Sequence, residues 1–341
     1  MKNVEVTAEV STKDRYYTTL PMCIVAIANQ THKPKKILIF DDGEQKDLRN
    51  DPTYASIFGL LFSKGIDFQV IFGQKKGQVA NHQIAIGLSQ TEWIWRVDDD
   101  DVPEPNVLEI LVRNIKDDVG VISGLVLIPG QPEANPASTS GRIEDIFTSA
   151  NVQWSRFKGV KEVDHMNNTF LFRKSAATHG YCLKLSPAGH REETMFTYEF
   201  KRKGFKLLVD PEAIIWHMRS PQGGIRSYTQ EFFWEHDEMI FHKYLEDVGI
   251  SVDRPQLIVL DSGLGDHYAF KMIMPEIKAK YKNLTLAVCY PEVFEDEGVR
   301  LISIAEAYSI GVDKDKHNVY KFMTDRGWTE SLVEAYRKMW L

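Results

Sequence analysis

Four aspartates in a row, Asp98-Asp99-Asp100-Asp101, close the apolar run Trp93–Val97 (WIWRV). On an extended chain residues i and i+2 point the same way, so Asp98 and Asp100 face one pocket. Like charges gathered in a cleft need a cation or hydrogen bonds to compensate them. Hard cations such as Mg2+ and Mn2+ take carboxylate oxygens, and a divalent cation can neutralise the charge that develops on a departing pyrophosphate. The same run also suits a solvated loop that caps a helix begun by Pro103-Glu104-Pro105. Asp41-Asp42 end another apolar run, Lys36–Phe40 (KILIF), and Glu192-Glu193 open a helical stretch. Acidic residues in a first helical turn favour the helix dipole, the ordinary reading of such a pair. His217 closes AIIWH, where a lone histidine is usually structural.

These side chains need a scaffold that brings strand ends together. Val4–Val10, Lys36–Phe40, Phe68–Phe72, Trp93–Val97 and Val119–Val126 read as strands. Leu20–Asn29, Val79–Leu88 and a segment from Pro103 through Ile115 read as helices. This alternation predicts right-handed βαβ units and a mostly parallel sheet, with ligands at the carboxyl ends of the strands. Residues 127–165 are rich in Pro, Gly, Ser and Asn and read as a binding loop or an unstructured one. Phe170–Arg173, a helix over 192–203, strands Lys206–Val209 and Ala213–His217, a loop Arg219–Arg226 and a helical stretch Tyr228–Asp247 follow. A second α/β pattern begins at Leu257–Leu260, with a turn at 261–266, a helix His267–Tyr281 and a strand Leu284–Val288. The expected organisation is a domain at 1–226, a helical connector at 227–254 and a small Rossmann-like module at 255–341.

At 43% hydrophobic and 26% charged the 341-residue chain has globular composition. A net charge of −7 argues against a general nucleic-acid binder. The three cysteines are far apart and odd in number, which excludes a disulfide framework and fits a reducing compartment. No segment approaches the roughly 20 apolar residues of a membrane span. The expectation is a soluble cytoplasmic protein with no transmembrane segment, with peripheral membrane contact left open.

The motifs then become specific in their order. VEVTAEVSTKDRYYTTLPMCIVAIANQTHKPKKILIFDDG, WIWRVDDDDVPEPNVLEIL and HREETMFTYEFKRKGFKLLVDPEAIIWH follow one another along the chain. From about Val4 to His217 the chain resembles glycosyltransferase family 2, an inverting family. The resemblance implies an α/β GT-A nucleotide-diphospho-sugar transferase fold. It implies that Asp41, Asp42, Asp98 and Asp99, with Thr12 and Lys13, meet the nucleotide sugar, Asp98 leaning toward the ribose. Asp100, with His217, would hold a divalent metal, Mn2+ or Mg2+. Asp101 would cap the next helix. Glu193 would be the general base, and Glu192 a candidate acceptor or accessory residue. Two departures stand out: His82-Gln83 where the family often has Arg-Asn, and Arg191-Glu192-Glu193 where it usually has Gly-Glu-Asp.

QLIVLDSGLGDHYAFKMIMPEIKAKYKNLTLAVCYPEVF resembles the start of the heptosyltransferase-like family 9, where an aspartate matching Asp266 is a proposed acceptor-facing base. Too little chain follows for that family's donor half, so an accessory module is expected. The reading is an inverting, metal-dependent transfer of sugar from a nucleoside-diphosphate sugar, UDP-sugar first, to a hydroxyl of a saccharide or glycoconjugate. A nucleotidyltransferase and a non-catalytic carbohydrate- or partner-binding protein are the alternatives. Homo-oligomerisation stays open.

Overall fold

The two apolar runs that end in aspartates become strands on either side of a third in one sheet. The computed structural model describes residues 4–45, 47–220, 222–225, 231–250, 255–281, 283–309 and 312–341. The chain divides into two units, 1–251 and 252–341. In the first, strands β1 (Val6–Thr12), β2 (Lys36–Asp41), β3 (Asp67–Phe72) and β4 (Trp93–Asp98) alternate with helices α1 (Leu20–Ala28), α2 (Pro52–Ser63) and α3 (Gln78–Leu88). After β5 (Asp101–Pro103), α4 (Val107–Arg113) and β6 (Val119–Leu127) come the two-residue strands β7 (Thr139–Ser140) and β8 (Ala150–Asn151). They are followed by β9 (Lys161–Val163), β10 (Phe170–Arg173), α5 (Glu192–Arg202), β11 (Lys206–His217) and α6 (Glu231–Asp247).

The sheet runs β3-β2-β1-β4-β10-β6-β11-β5, with β9 also on β11. Strands β3, β2, β1 and β4 are mutually parallel, β6 is parallel to β11, and β10 lies antiparallel between β4 and β6. The first five residues of β1, VTAEV, are all buried, as expected for a strand covered on both faces. Helices α1, α2 and α4 cover one face through Leu20, Ile24, Ile27, Tyr54, Phe58, Leu61, Leu108 and Leu111. Helix α2 escaped the sequence reading, yet its start is conventional: Asp51 Oδ1 accepts from Thr53 N and Tyr54 N, and Pro52 occupies the first turn.

Three readings change. The segment after the aspartates does not enter a helix at Pro103, because Asp101–Pro103 pairs antiparallel with Ile215–His217 and α4 begins at Val107, after Asn106. Asp101 is therefore a buried strand residue and not a helix cap. The two strands expected at 206–209 and 213–217 are one, with a register shift against β6 between Val209 and Ile214. Helix α6, inside the stretch read as a connector, belongs to the first unit. Asp237 on it is fully buried and accepts from Ser186 N, Ser186 Oγ and His190 N. Pro221 and 226–230, as well as 251–254, lie outside the described residues.

The second unit holds a parallel three-stranded sheet, β12 (Pro255–Leu260), β13 (Asn283–Val288) and β14 (Arg300–Ser303), in that order. The single helix expected over 267–281 is two, α7 (Leu264–Lys271) and α8 (Met274–Lys280), because Pro275 starts a new first turn. Helices α9 (Ile304–Ser309), α10 (Lys314–His317), α11 (Val319–Asp325) and α12 (Leu332–Trp340) complete it around Ile258, Phe270, Ile277, Leu286, Phe294 and Tyr336. Among the described residues no helix is long and apolar enough to cross a membrane.

Candidate active site

Parallel pairing aligns the carboxyl ends of β1, β2 and β4, since Thr12 pairs with Asp41 and Ser11 with Asp98. Asp41 is buried; its Oδ1 accepts from Tyr16 Oη at 2.7 Å and Gly43 N at 2.8 Å. Burial raises its pKa against these hydrogen bonds. Asp42 is spent largely on local structure, accepting from Lys75 N at 3.1 Å and Gly77 N at 2.8 Å just before α3. Lys13 and Asp42 line a cavity of about 390 Å³ together with Asp14, Glu44 and Lys75. Gly223, at φ +74°, lies against this edge; a Cβ there would stand 2.8 Å from Lys13 O and 2.7 Å from Asp14 O, and Gly224 N donates to Lys13 O at 2.7 Å.

The acidic run is divided among different partners. Asp98 Oδ1 lies 3.1 Å from Arg96 Nη2, and its Oδ2 accepts from Asn168 Nδ2 at 3.3 Å. Asp99 accepts from Thr12 Oγ1 at 2.6 Å and Arg15 Nη1 at 2.5 Å, and the same Arg15 nitrogen lies 2.9 Å from Asp100 Oδ2. Asp101 accepts from His217 Nδ1 at 2.8 Å and Thr169 Oγ1 at 2.5 Å, and His217 Nδ1 lies 3.6 Å from Asp100. Burial pushes Asp99 up to about 7, opposed by Arg15, and Asp101 up to about 6, opposed by His217. Burial works against a charge on His217, but Asp101, Asp100 and Asp98 outweigh it and raise the imidazole to about 9.

Asp100, Asp101 and His217 each offer a ligand atom within 4.8 Å of the others. Two carboxylates and an imidazole form a donor set that fits Mn2+ or Mg2+. Both carboxylates approach the imidazole at its Nδ1.

The first turn of α5 brings in the third acidic pair. Glu192 is buried with Oε1 2.6 Å from Arg96 Nη2, and Glu193 Oε1 lies 3.5 Å from the same nitrogen. Burial drives the Glu192 carboxyl well above its ordinary range, with Arg96 opposing. Glu193 and His217 line one cavity of about 530 Å³, together with Trp154, Asn168, Arg219 and Trp234. The structure thus brings Thr12, Asp98, Asp99, Asp100, Glu192, Glu193 and His217 into one linked set. Asp266 stands apart, on the first turn of α7 in the second unit, where it accepts from Tyr320 Oη. It lines a cavity of about 450 Å³ with Asp261, Tyr308 and Lys314.

Two residues carry more of the site than the sequence suggested. Arg15 reads as an ordinary surface arginine after a strand, and nothing local marks it. Arg96 does leave a signal, a single charge inside the apolar WIWRV, which costs too much to bury without carboxylate partners. His82, noted only as a departure, is buried between Glu9 Oε2 at 2.9 Å and Arg96 Nε at 3.1 Å.

Residues 10–178, just under half of the chain, match the family described as Glycosyl transferase family 2. No curated protein sequence matches. Among solved structures, S. aureus TarS 1-349 in complex with UDP-GlcNAc is similar over 98% of this chain and 84% of that chain, at 12% identity and TM-score 0.53. A crystal structure of GalNAc-T7 with UDP, GalNAc and Mn2+ is similar over 90% of this chain and 58% of that one, at 12% identity and TM-score 0.51. Against another structure of S. aureus TarS the chain spans 50% of that chain's length, at 14% identity and TM-score 0.51. At such identities the likeness speaks for the fold, and the family match falls on the segment that carries the acidic strand ends. The chain has a GT-A fold, and its residues 10–178 are similar to glycosyl transferase family 2.

Proposed function

We propose that this chain is an inverting, metal-dependent glycosyltransferase that moves a sugar from a nucleoside-diphosphate sugar, a UDP-sugar in the first instance, to a hydroxyl of a glycan or glycoconjugate. The observation that carries the reading is the sharing of one cavity by Glu193 and His217, the latter tied to Asp100 and Asp101. A proton acceptor and a cation-binding end then face the same space. The neighbours holding UDP-GlcNAc, or UDP with Mn2+, support the donor class.

Asp100 and His217 would hold the metal, with Asp101 orienting the imidazole. When bound, the ion would neutralise charge developing on the diphosphate. Thr12, Lys13, Asp41, Asp42, Asp98 and Asp99 form the donor side, Asp98 toward the ribose. Glu193 takes the proton of the acceptor hydroxyl as its oxygen attacks the anomeric carbon. The new carbon–oxygen bond forms as the bond to the diphosphate breaks, and the electron pair leaves with the nucleoside diphosphate. One displacement at carbon inverts its configuration.

We assign 255–341 an accessory role, in acceptor binding or structure. Its short parallel sheet and the turn at Gly263 support an α/β module of the kind that the resemblance to family 9 suggested.

Hydrolysis of a panel of nucleotide sugars with Mn2+, with and without EDTA, tests the reading. Metal-dependent release of nucleoside diphosphate is expected with at least one donor and lost in D100A. No binding or turnover with any donor refutes it.

A further inference from the structure

Arg96 lies in the middle of β4, fully buried, in a strand otherwise made of Trp, Ile and Val and closed by Asp98. Its Nε donates to His82 Nε2 at 3.1 Å, which makes that nitrogen an acceptor. The His82 Nδ1–H then faces Glu9 Oε2 at 2.9 Å, so the imidazole sits in one tautomer between β1 and the arginine. Nη1 donates to Asn168 O, and the guanidinium lies 5.3 Å from the Phe170 ring centroid. Four elements therefore fix this group in place before it touches any carboxylate of the site.

The remaining nitrogen, Nη2, reaches in two directions. It lies 3.1 Å from Asp98 Oδ1, at the end of its own strand, and 2.6 and 3.5 Å from the Oε1 atoms of Glu192 and Glu193 at the start of α5. One guanidinium thus spans the donor-side carboxylate and the proposed base. Glu193 has other charged surroundings: His190, Arg191 and Glu192 beside it in the chain, and Glu133, His217 and Arg219 around the same cavity. Glu192 competes with Glu193 for Nη2 and holds it at the shorter distance.

We propose that Arg96 is a positioning residue, which directs Glu193 at the acceptor cavity and ties it to Asp98 on the donor side. The proposal rests on the glycosyltransferase reading with Glu193 as the base. Removing the guanidinium should misplace the base and loosen Asp98 together, lowering kcat and raising KM for the donor.

The test uses the full chain and the nucleotide sugar that wild type hydrolyses with Mn2+. In R96M kcat is expected to fall about 100-fold, the cost of a misplaced catalytic group, with KM for the donor raised alongside. R96K should restore part of both. An R96M protein with wild-type kcat and KM overturns the proposal. If R96M fails to fold, R96Q decides: unchanged kcat and donor KM overturn it. A wild type with no turnover on any donor refutes the glycosyltransferase reading itself, whereas an active wild type whose variants keep its constants refutes only the role of Arg96.

Discussion

His217 Nδ1 lies 2.8 Å from Asp101 Oδ1, joining the last residue of β11 to the last aspartate of the acidic run. The pair is built by the antiparallel register of β5 and β11, in which these two residues are direct partners. A carboxylate bonded to an imidazole fixes its tautomer and direction. D101A should therefore weaken Mn2+ binding about 10–100-fold, the typical cost of losing such a partner. Titration calorimetry with Mn2+ measures this. An unchanged affinity would separate Asp101 from the metal end of the site.

Tyr16 and Asp41 form a buried hydroxyl–carboxylate pair beneath the proposed donor side, and Tyr16 Oη also accepts from Gln45 N at 3.2 Å. Burial and Asp41 raise the pKa of Tyr16 to a point where it stays a donor throughout the neutral range. Y16F removes one donor from a carboxylate whose other oxygen, Oδ2, already lacks a partner among the described residues. The expected cost is about 1–3 kcal/mol, read by urea unfolding, together with a higher KM for the donor.

Gly77 begins α3 at φ +89°, and a Cβ there would fall 2.2 Å from Pro187 O. Its N–H donates to Asp42, so one position sets the helix start, the Asp42 carboxylate and the packing of the segment before α5. G77A should destabilise the first unit by about 1–3 kcal/mol. Thermal unfolding measures this, and a melting temperature equal to wild type contradicts it.

Glu238 on α6 accepts from His190 Nε2 at 2.8 Å and Arg191 Nε at 2.9 Å, which ties α6 to the entry of α5. Burial pushes this carboxyl up, but the His190 and Arg191 contacts prevail and hold it near 2, below its ordinary 4.5. A depressed folded-state pKa contributes stability that is present above 4.5 and is lost as pH falls toward 2. With its side chain 27% exposed, the contribution is screened and amounts to about 1 kcal/mol. E238Q should lose stability at pH 7 and converge with wild type near pH 2. Chemical unfolding across that range checks it, and a gap that persists undiminished at low pH would argue against the pairing as its source.

Much of the fold follows from local pattern. Apolar runs ending in acid, separated by helical periodicity, specify parallel strands whose carboxyl ends gather. β1, β2 and β4 lie side by side, with Thr12, Asp41 and Asp98 at one edge. Periodicity could not specify where β5 goes, because Asp101-Val102-Pro103 reads as the approach to a helix and becomes a strand only through its pairing with β11. Nor could it separate α7 from α8, although Pro275 marks the break.

The roles within the acidic run divide along the same line. Residue type and spacing drew attention to Asp98 and Asp100, and the resemblance to a known family, carried by the order of the motifs, named Glu192, Glu193 and His217. Their partners were decided by tertiary structure. Arg15 meets Asp99 across 84 positions of sequence, Arg96 meets Glu192 across 96, and His217 meets Asp101 across 116. No local rule links residues so far apart. Burial makes the partners obligatory, since a charge taken out of water must find its counter-charge wherever the sheet order delivers one.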